Sequence, residues 1–395
     1  MTTTHDVIVI GAGVIGTSIA YHLAAFGARD VVVVERSQVG NGTSSQSSGI
    51  LRTHYSVPEN VELARRSWQV FAAFGEYLGD EDASAGLVKC GYLIAAPEGT
   101  KRAALEAALL GQEARGIAVQ RLSPREAAER LPIARFDDAA LIGFEPEAGF
   151  ADAYLVASAF ARAARRRGVA IHEGTAVEGL LIEGGRVAGV QTSHARLLAP
   201  TVISAQNIWA RELERWTGIA TPVVAERHSV LALEGRAPYT FAMPVYKDLA
   251  SRGMLYCRSY GGRHMLVSEG GAGIALAEPS NEPGEIDMDE VLRVGARVAE
   301  RFPTYDEAGL ASSWTGVYDV TPDWNPVLGR IPDVPGLLVA YGFSGHGFKL
   351  SPAVGRVLAQ EALGLPTDTP LAPYALERFR SGRLLTGRYG SGAVS

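Results

Sequence analysis

The segment Asp6-Val7-Ile8-Val9-Ile10-Gly11-Ala12-Gly13-Val14-Ile15-Gly16 constrains the fold of this chain more than any other. A short apolar run reads as a buried strand and feeds directly into a Gly-x-Gly-x-x-Gly turn, and a helical pattern follows. Val31-Val32-Val33-Val34 reads as a second strand and ends on Glu35. Strand, glycine turn, helix, second strand and acid together describe one dinucleotide-binding unit. Gly11 is expected to allow the tight turn, Gly13 to let the backbone approach a pyrophosphate, and Gly16 to let helix and strand pack closely. The helix N-terminus, at Val14 and Ile15, offers free N–H groups to phosphates. Glu35 is placed to accept hydrogen bonds from ribose hydroxyls, and its charge repels a 2′-phosphate. The expected ligand is FAD or NAD, not NADP.

Composition narrows the class further. A chain of 395 residues can bury a large core and build two domains. A net charge of −6 argues against a nucleic-acid surface. The one basic cluster, Arg162 with Arg165, Arg166 and Arg167, ends a helical pattern before Gly168, where cations suit the last turn. Two cysteines, Cys90 and Cys257, suggest neither a disulfide framework nor a metal site, and no metal is expected. The first strand begins by Asp6, which leaves no room for a signal peptide, and no apolar run has the length of a membrane span. A cytoplasmic setting is expected, without membrane or nucleic-acid partners.

Helices are expected over Glu59–Leu78, over Lys101–Gly116, and from an N-cap at Asp152 to Gly168. Leu155, Val156, Ala159, Phe160 and Ala163 form the expected buried stripe of the last. Gly40–Ser48 reads as a loop at the carboxyl end of the sheet, where open α/β folds bind ligands. Val169–His172 and Thr201–Ser204 read as strands, and Val177–Ile182 with Val187–Thr192 as a hairpin turning at Gly184-Gly185. Pro222–Phe302 reads as antiparallel sheet. Leu337–Tyr341 is a last strand, and a helix is expected from Pro352 to Leu363. Trp68, Trp216 and Trp324 are assigned to packing.

Several blocks carry a family resemblance. They are the Gly11–Gly16 turn with Glu35 and Arg36, Gly42-Thr43-Ser44-Ser45, Trp314-Thr315-Gly316, Thr321-Pro322-Asp323, and Gly342-Phe343-Ser344-Gly345-His346-Gly347-Phe348-Lys349. Together they resemble the D-amino-acid-oxidase-like flavoproteins, and within them the sarcosine oxidase branch. The resemblance implies an α/β (α+β) chain: a Rossmann-like FAD-binding domain and a second, mostly antiparallel β domain for the substrate. The FAD domain is expected from residues 1–85, 150–220 and 320–380, the substrate domain from 86–149 and 221–319, and a flexible tail from 381–395. The implied cofactor contacts are Gly11, Gly13, Val14, Ile15, Gly16, Glu35, Arg36, Gly42, Thr43, Ser44, Val177, Gly345, His346, Gly347, Phe348 and Lys349. In the family a Gly usually stands where this chain has Asn207; Asn is the non-Gly residue that best tolerates a left-handed backbone.

The resemblance also sorts substrates. D-amino-acid and glycine oxidases place an Arg four residues after the Trp of Trp-x-Gly, where this chain has Tyr318, which cannot fork onto a carboxylate. Sarcosine oxidases use an Arg and a Lys that match Arg52 and Lys349, expected to meet over the flavin. His54, Tyr256, Tyr318 and His346 complete the expected site, with Arg258 on the strand of Tyr256. The Cys of covalent attachment is replaced by Gly316, so FAD is expected to be non-covalent; Ala151 stands where the branch carries a His for a second flavin, so none is expected. The Lys that promotes reaction with oxygen falls on Leu266. The implied activity is FAD-dependent oxidation of a secondary or N-alkylated amino acid by hydride transfer, giving an imine that hydrolyses to an amine and a carbonyl compound. Oxygen, which would yield hydrogen peroxide, and another electron acceptor both stay open, as do homo- and hetero-oligomers. The alternatives are a 2-hydroxy-acid or D-amino-acid dehydrogenase and a flavoprotein subunit of an electron-transfer complex.

Overall fold

A computed structural model describes residues 2–271 and 273–389. Val7–Ile10 and Val31–Val34 are fully buried strands, as their unbroken apolar runs require of strands covered on both faces. They lie inside a six-stranded sheet ordered Ala170–His172, Val31–Val34, Val7–Ile10, Thr201–Ser204, Leu337–Tyr341, Val327–Arg330. The first five run parallel and the last is antiparallel. Side chains alternate between faces. Val7, Val9, Val31 and Val33 pack with Ile19, Phe160 and Val354 of the helices Val14–Ala25, Ala153–Arg166 and Gly347–Ala362. Ile8, Ile10, Val32 and Val34 face the other way, onto Val187, Val190 and Leu197 of a four-stranded sheet. That sheet holds the Gly184-Gly185 hairpin, Val177–Glu183 with Arg186–Thr192.

The second layer is a nine-stranded mixed sheet. Its path runs Ile274–Ala275, Val224–Glu234, His264–Ser268, Tyr256–Ser259, Val245–Asp248, Tyr92–Ala96, Leu141–Glu145, Gln120–Leu122, and Gly309–Val320 pairs with Val224–Glu234. Val245–Asp248 and Tyr92–Ala96 are parallel; the other pairs are antiparallel. On one face Leu93, Tyr246, Cys257 and Val267 pack under Val291, Val294 and Val298 of a helix. The opposite face turns toward the first layer and carries Tyr92, Lys247 and Tyr256.

Some expectations change. Met288–Arg301 is a helix inside the region read as sheet; Asp287 caps it, and Val291, Val294 and Val298 form its buried stripe. The Glu59–Leu78 helix breaks at Ala73 into Pro58–Ala72 and Phe74–Leu78. Asp152 caps its helix as expected, accepting from Tyr154 and Leu155 N–H, but Leu155 is exposed while Val156, Ala159, Phe160 and Ala163 are buried. The last long helix starts at Gly347, with Pro352 inside it. Proline cannot donate to the Phe348 carbonyl, and the Ser351 hydroxyl donates there instead at 2.8 Å. The tail docks as far as residue 389. Leu385 N–H donates to Asp323 (3.0 Å), Arg388 N–H to Ser56 (2.8 Å), and the Tyr389 hydroxyl meets His54 Nε2 (2.8 Å). Residues 390–395 lie outside the described residues. No described helix is long and apolar enough to cross a membrane.

Candidate active site

The glycine turn shows why each glycine stands where it does. Gly11 has φ +97°, and a Cβ there would press on the Ala205 carbonyl oxygen. A Cβ at Gly16 would collide with the carbonyl oxygen of Gly11. At Gly13 a Cβ would meet only Ser44 Oγ, tightly at 3.2 Å, and the rest of that side is open. That open side belongs to a cavity of about 690 Å³ between the two layers. Glu35 accepts N–H from Ala12 and Ser37, both at 2.8 Å, which pins the carboxylate at the cavity wall. Asn207 has φ +51°, the left-handed conformation expected of it, and accepts from the Thr43 hydroxyl at 3.1 Å.

Of the expected cofactor contacts, Gly11, Gly13, Val14, Ile15, Glu35, Arg36, Gly42, Thr43, Ser44, Val177, Gly345, Gly347 and Phe348 line this cavity. Gly16 is spent on the close packing, and His346 and Lys349 lie behind the wall. Tyr256 and Tyr318 line the far end. Tyr318 stacks on His228 with centroids 4.1 Å apart, and a Cβ at Gly345 would meet its ring at 2.5 Å. Sequence reading missed His228, Ser268 and Trp216 as wall residues; Trp216, expected to pack, packs against the core and also lines the cavity. Burial lowers the His228 pKa to about 4, so the ring is neutral.

Arg52, His54, His346 and Lys349 do not reach the cavity surface; they form a buried cluster beside it. Arg52 is 3% exposed, lies over the Tyr55 and Tyr92 rings (4.6 and 5.6 Å), and leaves both terminal guanidinium nitrogens without a hydrogen-bond partner among the described residues. The Tyr55 hydroxyl and both ring nitrogens of His346 are also without one, and these two rings lie 5.3 Å apart. Buried polar atoms left this way are costly and mark a place for a polar ligand or water. Burial and then the Arg52 charge hold Lys349 well below the usual lysine range. His54 is bound between Gln112 and Tyr389 at 3.0 and 2.8 Å, and burial with Arg52 nearby lowers it to about 3. Glu145 accepts from Thr53 N–H and from Gln112; burial raises it to about 7. Arg258 stays behind Tyr256, donating to the Ser48 carbonyl at 2.6 Å. Leu266 is buried against Val230, Ala232 and Trp314. Gly316 lines the cavity.

A parallel sheet that aims a glycine turn and a helix N-terminus into an elongated cleft, roofed by a second sheet, is the architecture of a dinucleotide-binding oxidoreductase. Comparison with known proteins gives the family. The model of the FAD dependent oxidoreductase family matches residues 6–361, and the chain belongs to that family. It is 27% identical to sarcosine oxidase subunit beta of Arthrobacter sp, over 99% of this chain and 95% of that one. It is 26% identical to mitochondrial sarcosine dehydrogenase of Mus musculus over 96% of this chain, and spans 42% of that protein's length. Among solved structures, L-proline dehydrogenase from P. horikoshii superimposes with a TM-score of 0.87 at 26% identity, covering 97% of this chain and 100% of that one. FAD is the family's cofactor, and the residues on the wall fit it. The turn at Gly13 gives close backbone approach, Glu35 stands at the end of the second strand, and Gly345 and Gly347 bring bare backbone to the wall. Among the described residues no cluster of His, Cys, Asp or Glu could hold a metal.

Proposed function

We propose that the chain oxidises a secondary or N-alkylated amino acid at the carbon next to nitrogen. The observation that carries this reading is the buried Arg52 guanidinium, its two terminal nitrogens without a partner among the described residues, beside Lys349. A planar fork of donors in a dry site suits a carboxylate, and the pairing relieves an otherwise unpaired buried charge. Bound FAD supplies the two-electron chemistry by accepting a hydride. The protein's own residues bind and orient. Arg52 and Lys349 hold the carboxylate, the Tyr256 and Tyr318 rings enclose the rest of the substrate, and the neutral His346 and His54 add no competing charge. Loss of hydride from a C–H beside a neutral secondary amine leaves an iminium ion, which gives up its N–H proton to water to become an imine, and water then hydrolyses it to an amine and a carbonyl compound. Relatives named for sarcosine and for L-proline support a substrate whose nitrogen bears a second carbon. With Leu266 apolar, reoxidation by oxygen is proposed to be slow, with an artificial dye faster.

The test is anaerobic mixing of the holoenzyme with N-methyl amino acids, proline and 2-hydroxy acids while flavin absorbance is followed. Bleaching by a secondary amino acid is expected. Bleaching by hydroxy acids alone, or by nothing in the series, overturns the reading. Stopped-flow reoxidation with oxygen and with dye then separates oxidase from dehydrogenase.

A further inference from the structure

The roof sheet carries, one strand beyond the residues that line the cavity, a residue that the reading above leaves unused. In the nine-stranded sheet Ser268 is paired with Tyr256, and Tyr256 with Lys247. Directly opposed residues share a face, and neighbouring strands lie about 4.8 Å apart. Ser268 and Tyr256 line the cavity, so Lys247 stands on the same face, one strand further along. Its Nζ is 5.4 Å from the centre of the Tyr256 ring and makes one hydrogen bond among the described residues, to the Met254 carbonyl at 2.9 Å. Lys247 is 3% exposed, and its terminal nitrogen has donors to spare. On the next strand Tyr92 pairs with Val245, two residues from Lys247, and Arg52 lies over the Tyr92 ring. Arg52 and Lys247 therefore approach one region, the first from the flavin loop and the second from the sheet.

Basic groups outnumber carboxylates in this region. Arg52, Lys247 and Lys349 are buried basic groups, and burial first, then the Arg52 charge, depresses the basicity of both lysines. Glu145 is the buried carboxylate on their side, and burial pushes it toward its neutral form. Asp248 follows Lys247, but it is committed on the other side of the strand: it accepts from Arg301 at 2.8 Å and from the N–H groups of Ala250 and Ser251. Buried charges are ordinarily paired. One substrate carboxylate on Arg52 and Lys349 leaves Lys247 with spare donors and, among the described residues, no acidic partner.

We infer that the substrate is an N-substituted amino dicarboxylic acid, whose second carboxylate is held by Lys247. This rests on the amine-oxidising reading for the chemistry, but the binding claim can be tested apart from it. The holoenzyme is titrated with glutarate and with butanoate, which have similar carbon skeletons but differ by one carboxylate, and the flavin absorption change is recorded. Glutarate is expected to bind at least tenfold more tightly. Lys247→Met is expected to remove that preference while leaving butanoate affinity within about twofold, and Lys247→Arg to restore part of it. Equal affinity of the wild-type protein for the two acids overturns the inference, with no variant needed. So does a Lys247→Met protein that weakens both acids alike. In parallel, N-methylaspartate and N-methylalanine are compared as reductants of the flavin under anaerobic conditions. A glutarate preference without bleaching by either compound would sink the amine reading and keep the dicarboxylate site. Bleaching by N-methylalanine at lower concentration than by N-methylaspartate would do the reverse.

Discussion

Single residues in this protein are held in states that only burial can impose. His22 and His54 are lowered to about 3 and His228 to about 4, each chiefly by burial. A folded-state pKa below the unfolded value adds stability that is present above the unfolded pKa and is lost as pH falls toward the folded one. At pH 5, which is 1.5 units below the ordinary 6.5, each histidine should have cost about 2 kcal/mol of stability. The unfolding midpoint should therefore drop steeply between pH 7 and pH 5. His22 lies away from the cavity, bonded to the Ser18 carbonyl and the Tyr77 hydroxyl, both at 2.7 Å. His22→Phe should lower stability at pH 8 and flatten the fall toward pH 5; a variant with the wild-type slope would contradict the assignment. The carboxylate anchor belongs to this scale too. Arg52→Gln and Lys349→Met should each weaken a carboxylate-bearing substrate about tenfold to a hundredfold, as expected for a charge-assisted hydrogen bond of about 1.5–3 kcal/mol. FAD should stay bound, and an uncharged amide analogue should barely distinguish mutant from wild type. Kinetics unchanged in both variants would remove the anchor.

Whole elements answer to backbone geometry. The turn Gly11–Gly16 leaves the Gly13 side open to the cavity, so Gly13→Val should yield a folded chain that no longer retains FAD. Recovery of stoichiometric yellow protein would show that the pyrophosphate does not sit there. The tail acts as a strap from Asp323 to His54. Tyr389→Phe leaves the buried His54 Nε2 without its partner, at a cost of about 1–3 kcal/mol. Urea unfolding should report that loss; an unchanged midpoint would mean that the strap is not engaged in solution. The helix Met288–Arg301 was readable from Asp287 and the spacing of Val291, Val294 and Val298, but turn signals on either side hid it. The start of the last helix was hidden differently: Pro352 looks like a first-turn residue, and only the Ser351 hydroxyl makes it tolerable further inside.

Two layers meet across one cleft in the whole molecule, and the cofactor's mode of attachment is a property of that meeting. Gly316 comes from the roof sheet and faces the cavity with no nucleophile to offer, and neither Cys90 nor Cys257 lines it. Acid precipitation should therefore release FAD into the supernatant, and flavin left in the pellet would reveal a covalent bond. The glycine turn, the parallel strands and the acid at Glu35 were legible because each depends on neighbours within about thirty residues, where apolar period and turn chemistry act. The loop Gly40–Ser48 and the Gly342–Phe348 junction were legible for the same reason. Arg52, Lys349 and His346 were expected only through the family resemblance, and their burial in a cluster with Glu145, like the place of Lys247, was not legible. Their burial, missing partners and shifted basicity come from four distant stretches of chain that only packing brings together. Local sequence thus determined the glycine turn, the helix start and the acid at Glu35 that suit phosphates and ribose, because backbone conformation decides those features. Tertiary structure decided which charges are stranded beside the flavin site, because desolvation and Coulomb forces act through space and not along the chain.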